Sequence, residues 1–189
     1  MVRKIAIVYS SRHGHVRAIA ERLAEIAALR HLECSVADVR FAGNALMSCD
    51  AAIVAGSVHF GRHARALRRF VARKLPWLSA NPAAFLSVSG SAASLEGTAK
   101  AEQYIADFVR TTGWQPDMTL SAAGAVLYTK YDPLTRLMMK FASRTAGRDT
   151  DTSRDVVYTN WHAVDEFMHH FIDTLERHAC AVGEKRAQA

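Results

Sequence analysis

The sequence predicts an α/β domain in which a parallel sheet is covered by helices on both faces. Short runs that are almost wholly apolar, at 5–9, 50–56 and 83–88, alternate with longer segments of helical period. Strands with apolar residues on both sides are typical of parallel sheets buried between two helical layers. The 189 residues, 50% of them hydrophobic and 22% charged, fit one domain with a single sizeable core.

No linker or repeat interrupts this alternation, so we expect a single domain over residues 1–182 and a flexible tail at 183–189. A segment at about 127–155 falls outside the alternation and is predicted to be an insert after the fifth strand. The predicted strands are 5–9, 34–39, 50–56, 83–88 and 118–126. The predicted helices run from Val16 to Ala27, from Leu67 to near Pro76, from Ala101 to Val109 and from Trp161 to about His178.

Composition restricts the class of protein and of partner. The formal net charge of +6 favours anionic partners, and charge alone does not choose among nucleic acid, acidic lipid and a carboxylated substrate. The basic residues accompany apolar stripes rather than an aromatic platform or a recognition helix, which argues against nucleic acid. The sequence has no signal-peptide core and no membrane-spanning run, so we expect a cytoplasmic protein. Three scattered cysteines argue against a disulfide framework and a metal site.

The loop between the first strand and the first helix is a candidate binding site. Residues Ser10 to His15 are small, polar or basic. Such a loop directs backbone N–H groups and the positive end of the helix dipole at one place, which suits a phosphate. The loop lacks the Gly-Lys-Ser/Thr of a P-loop, so it is not a P-loop. It has a single glycine, Gly14, whereas the dinucleotide-binding fingerprint needs three. It resembles the FMN-phosphate loop of flavodoxins, while an ordinary turn with a serine cap stays open as the alternative.

Two further loops, Ser57–His63 and Ser87–Ser94, leave predicted strands with hydroxyl groups and glycine. In a doubly wound sheet, ligands bind beyond the carboxyl ends of the strands, where the strand order reverses. With the flavodoxin-like order 2-1-3-4-5, in a three-layer sandwich, all three loops surround one site. Receiver domains share this topology, but the acidic cluster and phosphorylatable aspartate that they need are missing from these loops.

An FMN molecule would place its phosphate in the first loop and its ring against the other two. Phe60 is a candidate wall for the ring and equally a candidate core residue. The histidines at 13, 15, 59 and 63 lack carboxylate or cysteine neighbours at ligand-like spacing, so they predict a polar rim rather than a metal site. The candidate cofactor-binding residues are Ser10, Ser11, Arg12, His13, Gly14, His15, Val16, Ser57, His59, Phe60, Gly61, Ser87, Val88, Ser89, Gly90 and Ser91.

The predicted insert combines an apolar stripe with basic residues. A helix of this kind can lie among the headgroups of an anionic membrane, clasp a flat apolar substrate that bears carboxylates, or pack on the domain with its cations in water. The three alternatives stay open. The candidate substrate- or membrane-binding residues are Lys130, Arg136, Lys140 and Arg144.

The most specific motif is the block at 150–161, which reads Thr-Asp-Thr-Ser-Arg-Asp-Val-Val-Tyr-Thr-Asn-Trp. It resembles the block Thr-Asp-Thr-Arg-Lys-Glu-Val-Val-Tyr-Thr-Asp-Trp of the flavodoxin-like, menaquinone-dependent protoporphyrinogen oxidases. The loop at 10–14, the turn at 114–117, the sequence at 123–125 and the insert support the same resemblance, which covers nearly the whole chain.

The resemblance implies that the protein binds FMN, oxidises protoporphyrinogen IX in haem synthesis, and passes the electrons to menaquinone or ubiquinone. It implies a peripheral association with the anionic inner face of the cell membrane, and the sequence singles out no catalytic acid–base pair. A homo-oligomer is compatible with the sequence. Two alternatives are a generic FMN quinone reductase or flavodoxin-type electron carrier, and a degenerate, non-catalytic binding module on the same scaffold.

The phosphate loop departs from the family pattern at two positions. Val16 stands where the family has threonine, and His13 stands where it has an acidic residue. Loss of the hydroxyl removes a hydrogen bond to a charged group, which contributes about 1.5–3 kcal/mol. Attraction between His13 and the phosphate would offset only part of this loss. The sequence therefore predicts FMN binding weaker than is usual for the family.

Overall fold

A parallel sheet runs through the centre of the molecule. The computed structural model describes residues 4–126 and 156–187, with side chains at 4–125 and 156–177. The strands of these residues are β1 (Lys4–Ser10), β2 (Glu33–Asp38), β3 (Ala51–His59), β4 (Arg62–His63), β5 (Ala83–Ser89), β6 (Met118–Ala123), β7 (Ala125–Val126) and β8 (Val156–Val157). The parallel strands lie side by side in the order β2-β1-β3-β5-β6, while β4 pairs antiparallel with the end of β3 and β7 pairs antiparallel with β8.

The predicted α/β class and parallel sheet are confirmed, and the order 2-1-3-4-5 needs a correction. The short strand β4 was not predicted, so the parallel strands carry the order 2-1-3-5-6. β4 forms because Phe60 and Gly61 both have positive φ angles, 49° and 76°, which is the backbone of a two-residue hairpin turn. The strand predicted at 118–126 is interrupted at Gly124, between β6 and β7. The predicted insert at 127–155 lies outside the described residues.

Within 4–126 and 156–187, two helices cover each face of the sheet. These helices are α1 (His15–Leu29), α2 (Arg65–Ala80), α3 (Thr98–Thr112) and α4 (Trp161–Ala187). Helix α2 continues through Pro76, where the sequence predicts its end, because the burial of Leu78 beyond the proline offsets the lost backbone hydrogen bond. Helix α4 extends past the predicted end at His178 and into the segment 183–189.

None of the helices in the described ranges combines the length and apolar character that a bilayer-spanning segment needs.

The core is divided by the sheet into two clusters. In β1, Ile5 and Ile7 join the cluster under α1 and α4, whereas Ala6 and Val8 join the cluster under α2 and α3. This division follows from the strand geometry, since successive side chains point to opposite faces. Helices on both faces bury both sets, and this explains why the strand is apolar at every position.

Candidate functional site

The carboxyl ends of β1, β3 and β5 lie next to one another. Ser10 at the end of β1 pairs with Gly56 in β3, and Ser57 pairs with Val88 in β5. The loops that follow these strands enclose a cleft of about 70 Å³. The residues that line the cleft are Ser11, Arg12, His13, His15, Val16, Ser57, Val58, His59, Val88, Ser89, Gly90, Gly124 and Ala125. The structure therefore brings the three sequence-predicted loops together.

The other candidate cofactor residues do not line the cleft. Ser10 lines a neighbouring depression, and Ser87 is fully buried beneath the cleft. Val58, Gly124 and Ala125 line the cleft and were missed as site residues. Gly124 and Ala125 could have been predicted from the sequence, since residues 123–125 belong to the family pattern. The remaining non-lining candidates are Gly14, Phe60, Gly61 and Ser91.

The first loop is shaped to hold an anion. Gly14 adopts φ 91°, a left-handed conformation that glycine accepts without strain, and its N–H donates to the Ser11 hydroxyl at 3.0 Å. Helix α1 then starts at His15 with no side-chain cap and no acidic residue in its first turn. Its first N–H groups and its dipole therefore face the cleft, where they suit an anion. The alternative of a serine-capped helix is wrong, because the capping residue is Gly14.

Val16 has a different environment from the one predicted for a phosphate-contacting side chain. It lines the cleft, but it is only 1% exposed and packs in the cluster under α1 and α4 with Ile19 and Leu23. The aliphatic residue at this position thus contributes to the core as well as to the wall of the cleft.

Two histidines stand at the rim beside Arg12. The rings of His13 and His59 meet edge to face with centroids 6.0 Å apart, and His59 Nε2 lies 3.1 Å from the Ser57 hydroxyl. Burial lowers the pKa of His59, and the nearby His13 and Arg12 lower it further. His59 is therefore neutral near pH 7, and Arg12 supplies the permanent positive charge at this rim.

His15 connects the first loop to the family-specific block. The Thr159 hydroxyl donates to the Ala123 carbonyl at 2.7 Å, so it accepts from His15 Nε2 at 2.6 Å. The ring of His15 also contacts Trp161 edge to face at 6.0 Å. These contacts hold the segment that leads into α4 against the start of α1, next to the cleft.

The structure places Phe60 at the surface and His63 in the interior. Phe60, a candidate ring wall or core residue, sits at the tip of the β3–β4 hairpin and is 88% exposed. His63, a candidate rim residue, is buried and lies 3.0 Å from the Ser87 hydroxyl. Burial lowers the pKa of His63 to about 4, so its ring is neutral near pH 7.

Within 4–126 and 156–177, no group of three histidine, cysteine or carboxylate side chains is placed to hold a metal ion.

A parallel sheet with an uncapped helix start and two further loops at one switch point defines a flavodoxin-type α/β domain. A family model described as a flavodoxin domain matches residues 6–153. The fold is also similar to that of a short-chain flavodoxin associated with a non-canonical PDU bacterial microcompartment, with a TM-score of 0.55 and 11% identity over 91% of this chain and 98% of that one.

Two relatives define the family more narrowly. The chain is 32% identical over 166 residues to protoporphyrinogen IX dehydrogenase (quinone) of Escherichia coli strain K12, which covers 87% of this chain and 92% of the relative. It is 30% identical over 172 residues to the protein of the same name from Leishmania major, which covers 89% and 74%. The chain belongs to the protoporphyrinogen IX dehydrogenase (quinone) family of flavodoxin domains, as the sequence motifs predict.

Proposed function

We propose that this protein binds FMN in the cleft and oxidises protoporphyrinogen IX to protoporphyrin IX in haem biosynthesis, with a membrane quinone as electron acceptor. The observation that carries the proposal is the convergence of three strand-end loops on the uncapped start of α1. The names of the two relatives supply the substrate and the acceptor class.

The donors around the cleft fit the phosphate end of FMN. They are the first N–H groups of α1, the guanidinium of Arg12 and the Ser57 hydroxyl. The enclosed volume of about 70 Å³ suits a phosphate rather than a whole flavin. A depression of about 390 Å³ adjoins it and shares Ser11, Arg12, Ser57 and His59 with it, which gives room for the rest of the cofactor.

When bound, FMN would supply the redox chemistry by accepting a hydride or its equivalent. Each two-electron oxidation removes two hydrogens from the macrocycle, and a quinone that accepts two electrons and two protons leaves as quinol. The chain itself would anchor the phosphate and keep the neutral imidazole of His59 at the rim, so that Arg12 supplies a fixed positive charge beside the phosphate.

We further propose that the protein acts at the cytoplasmic face of an anionic membrane, where the quinone is dissolved. Three features support this: the net charge of +6, the basic residues Lys130, Arg136, Lys140 and Arg144 of the predicted insert, and the exposed apolar side chains of Phe60 and Leu95. The last two follow the carboxyl ends of β3 and β5, the edge of the sheet at which the cleft lies.

The decisive experiment is anaerobic oxidation of protoporphyrinogen IX by FMN-loaded protein with menaquinone present, followed by porphyrin fluorescence. We expect porphyrin to form only when FMN, quinone and protein are all present. Reduction of quinone by NAD(P)H without porphyrinogen oxidation would instead establish a generic quinone reductase. Failure to bind FMN after reconstitution would establish a non-catalytic module.

The membrane proposal has a separate test in sedimentation with liposomes. Charge reversal of Arg136, Lys140 and Arg144 together should reduce binding to anionic vesicles and leave binding to neutral vesicles unchanged. The matched control reverses Arg69, Arg73 and Lys74 on α2, three exposed or half-exposed residues outside the insert. Equal sedimentation of the insert variant and the wild type would contradict a role of the insert at the membrane.

A further inference from the structure

A second cavity, of about 310 Å³, lies between the β3–β4 hairpin and helices α2 and α3. It shares no lining residue with the cleft proposed for the FMN phosphate, and it shares Arg62 and His63 with the adjoining depression that gives room for the rest of the cofactor. Its principal lining residues are Gly61, Arg62, His63, Arg68, Tyr104 and Phe108.

The two strands of one hairpin contribute to the two sites. Val58 and His59 line the cleft, and their cross-strand partners His63 and Arg62 line the cavity. Directly paired residues of an antiparallel ladder are about 5 Å apart. A ligand held in the cavity is therefore close enough to place its remaining atoms next to the cleft.

The cavity carries positive charge that the protein does not neutralise. The guanidinium groups of Arg68 and Arg62 have no hydrogen-bond or ion-pair partner among the described residues, and Arg68 Nε is buried without one. The acidic residue in the lining, Asp107, is bound to Arg110 at 2.7 Å. A buried N–H without a partner costs free energy, and a carboxylate is the acceptor that matches the planar guanidinium fork.

The floor of the cavity is a group of uncharged rings. Phe108 stacks on Phe85 with centroids 4.2 Å apart and planes at 9°, and His63 meets Phe108 edge to face at 4.9 Å. The imidazole of His63 is neutral near pH 7, as shown above. A cationic rim above a neutral aromatic floor suits a ligand with a carboxylate joined to a flat, apolar ring.

We propose that this cavity binds a propionate arm and the adjoining pyrrole ring of the tetrapyrrole substrate, with Arg68 and Arg62 on the carboxylate. This inference rests on the proposed function. The volume of about 310 Å³ suits one arm and one ring, so the rest of the macrocycle lies over the hairpin tip. Phe60, exposed at that tip, provides an apolar surface for it, and the macrocycle is brought to the edge of the cleft.

The test is a titration of the full-length protein with protoporphyrin IX and with its dimethyl ester, followed by porphyrin fluorescence. We expect the wild type to bind the free acid at least tenfold more tightly than the ester. Arg68→Met should weaken binding of the acid at least tenfold, leave binding of the ester unchanged and leave FMN affinity unchanged. Arg68→Lys should recover part of the loss. The matched control is Arg69→Met, an exposed neighbour on α2 that does not line the cavity.

A structural role for Arg68 predicts a different result. Because Arg68→Met removes a buried N–H that has no partner, its melting temperature should equal or exceed that of the wild type. A lower melting temperature together with weaker FMN binding would overturn the proposal.

The failure of this inference is distinguishable from failure of the proposed function. Equal affinities for acid and ester, or an Arg68→Met variant that binds the acid normally, would overturn the cavity proposal and leave the enzymatic activity standing. Acid-selective porphyrin binding through Arg68 by a protein that neither binds FMN nor oxidises protoporphyrinogen IX would support the cavity and overturn the proposed activity.

Discussion

The two helical layers that cover the sheet are held to it in different ways. Under α1 and α4 the core is mainly aliphatic, and the helices are also joined by ion pairs. Arg22 contacts both oxygens of Asp165 at 2.9 and 2.7 Å, and Arg30 contacts Asp173 at 3.0 Å. Under α2 and α3 the aliphatic core also contains a group of large aromatic rings, and no salt bridge joins these two helices within the described part of the chain. The rings are those of Phe70, Phe85, Phe108 and Trp114.

This difference indicates that the layer of α1 and α4 serves stability, whereas the layer of α2 and α3 has room for a ligand. Arg22 of α1 and Arg30, which follows α1, are paired with carboxylates of α4. The layer of α2 and α3 instead contains the buried, unpartnered Arg68 Nε and Trp114 Nε1, the neutral His63 and the cavity of about 310 Å³. Of these two donors, Arg68 Nε belongs to a residue that lines the cavity, where an acceptor on a ligand would satisfy it.

The largest effect is expected from removing one aromatic ring in each layer. Phe171→Ala, in the layer of α1 and α4, should lower the free energy of unfolding by about 3–5 kcal/mol. Phe108→Ala should cost about 0.5–1.5 kcal/mol more, because it also removes the stack on Phe85. Both residues are equally buried, at 1% and 2% exposure, so urea unfolding gives a matched comparison. A larger loss for Phe171→Ala would contradict the proposed difference between the layers.

The buried His63 should make the stability of the protein depend on pH. The pKa of His63 is about 4, so the folded protein binds fewer protons than the unfolded chain between about pH 4 and pH 6.5. His63 should therefore lower the free energy of unfolding by about 3 kcal/mol as the pH falls through this window, and it should have no effect at higher pH.

Urea unfolding of the wild type and His63→Gln at pH 7 and at pH 4.5 measures this contribution. The lowered pKa values of Asp38 and Asp165 affect both proteins alike, so the difference between their pH profiles isolates His63. Parallel profiles would show that the histidine is not held in its neutral form.

The third prediction concerns the place where the layer of α1 and α4 reaches the cleft. Val16→Thr should tighten FMN binding about tenfold or more, because one hydrogen bond to a charged group contributes about 1.5–3 kcal/mol. It should also lower stability, since the position is 1% exposed. Flavin fluorescence quenching measures the affinity. Val71→Thr, buried in the other layer, is the control that loses stability without any change in FMN affinity, and an unchanged affinity for Val16→Thr would contradict the assignment of the phosphate loop.

The smallest effect is expected from the ion pairs. The hydrogen bond from Arg22 lowers the pKa of Asp165, so the pair stabilises the fold above the ordinary carboxyl pKa and is lost as the pH falls through the lowered value. Asp165→Asn should reduce the melting temperature slightly at low salt. The reduction should shrink at about 1 M salt, where the screening length is about 3 Å.

Asp107→Asn, which breaks a pair within α3, is the control and should have a smaller effect, because it joins no two elements. A salt-independent loss for Asp165→Asn as large as that of Phe171→Ala would show that the ion pairs, rather than the aliphatic cluster, hold this layer.

The sequence by itself determined the parallel sheet, the order of its strands apart from β4, the three converging loops and the family. Each of these is encoded in a continuous segment: apolar residues on both faces of 5–8, a glycine before α1, or the block at 150–161. Hydrophobic periodicity and turn residues indicate which side of a segment is buried and where the segment ends, and that is enough to predict a strand or a loop.

Only the tertiary structure decided the hairpin at Phe60, the passage of α2 through Pro76, the burial of Val16 and His63, and the cavity beside Arg68. These features depend on which side chains from distant segments meet. The packing of Leu78 on the core outweighs a proline's local preference, and Arg68 and Tyr104 line one cavity because α2 and α3 lie on the same face of the sheet. Burial and cavity formation depend on how separate elements pack against one another, so they cannot be predicted from the pattern of a single segment.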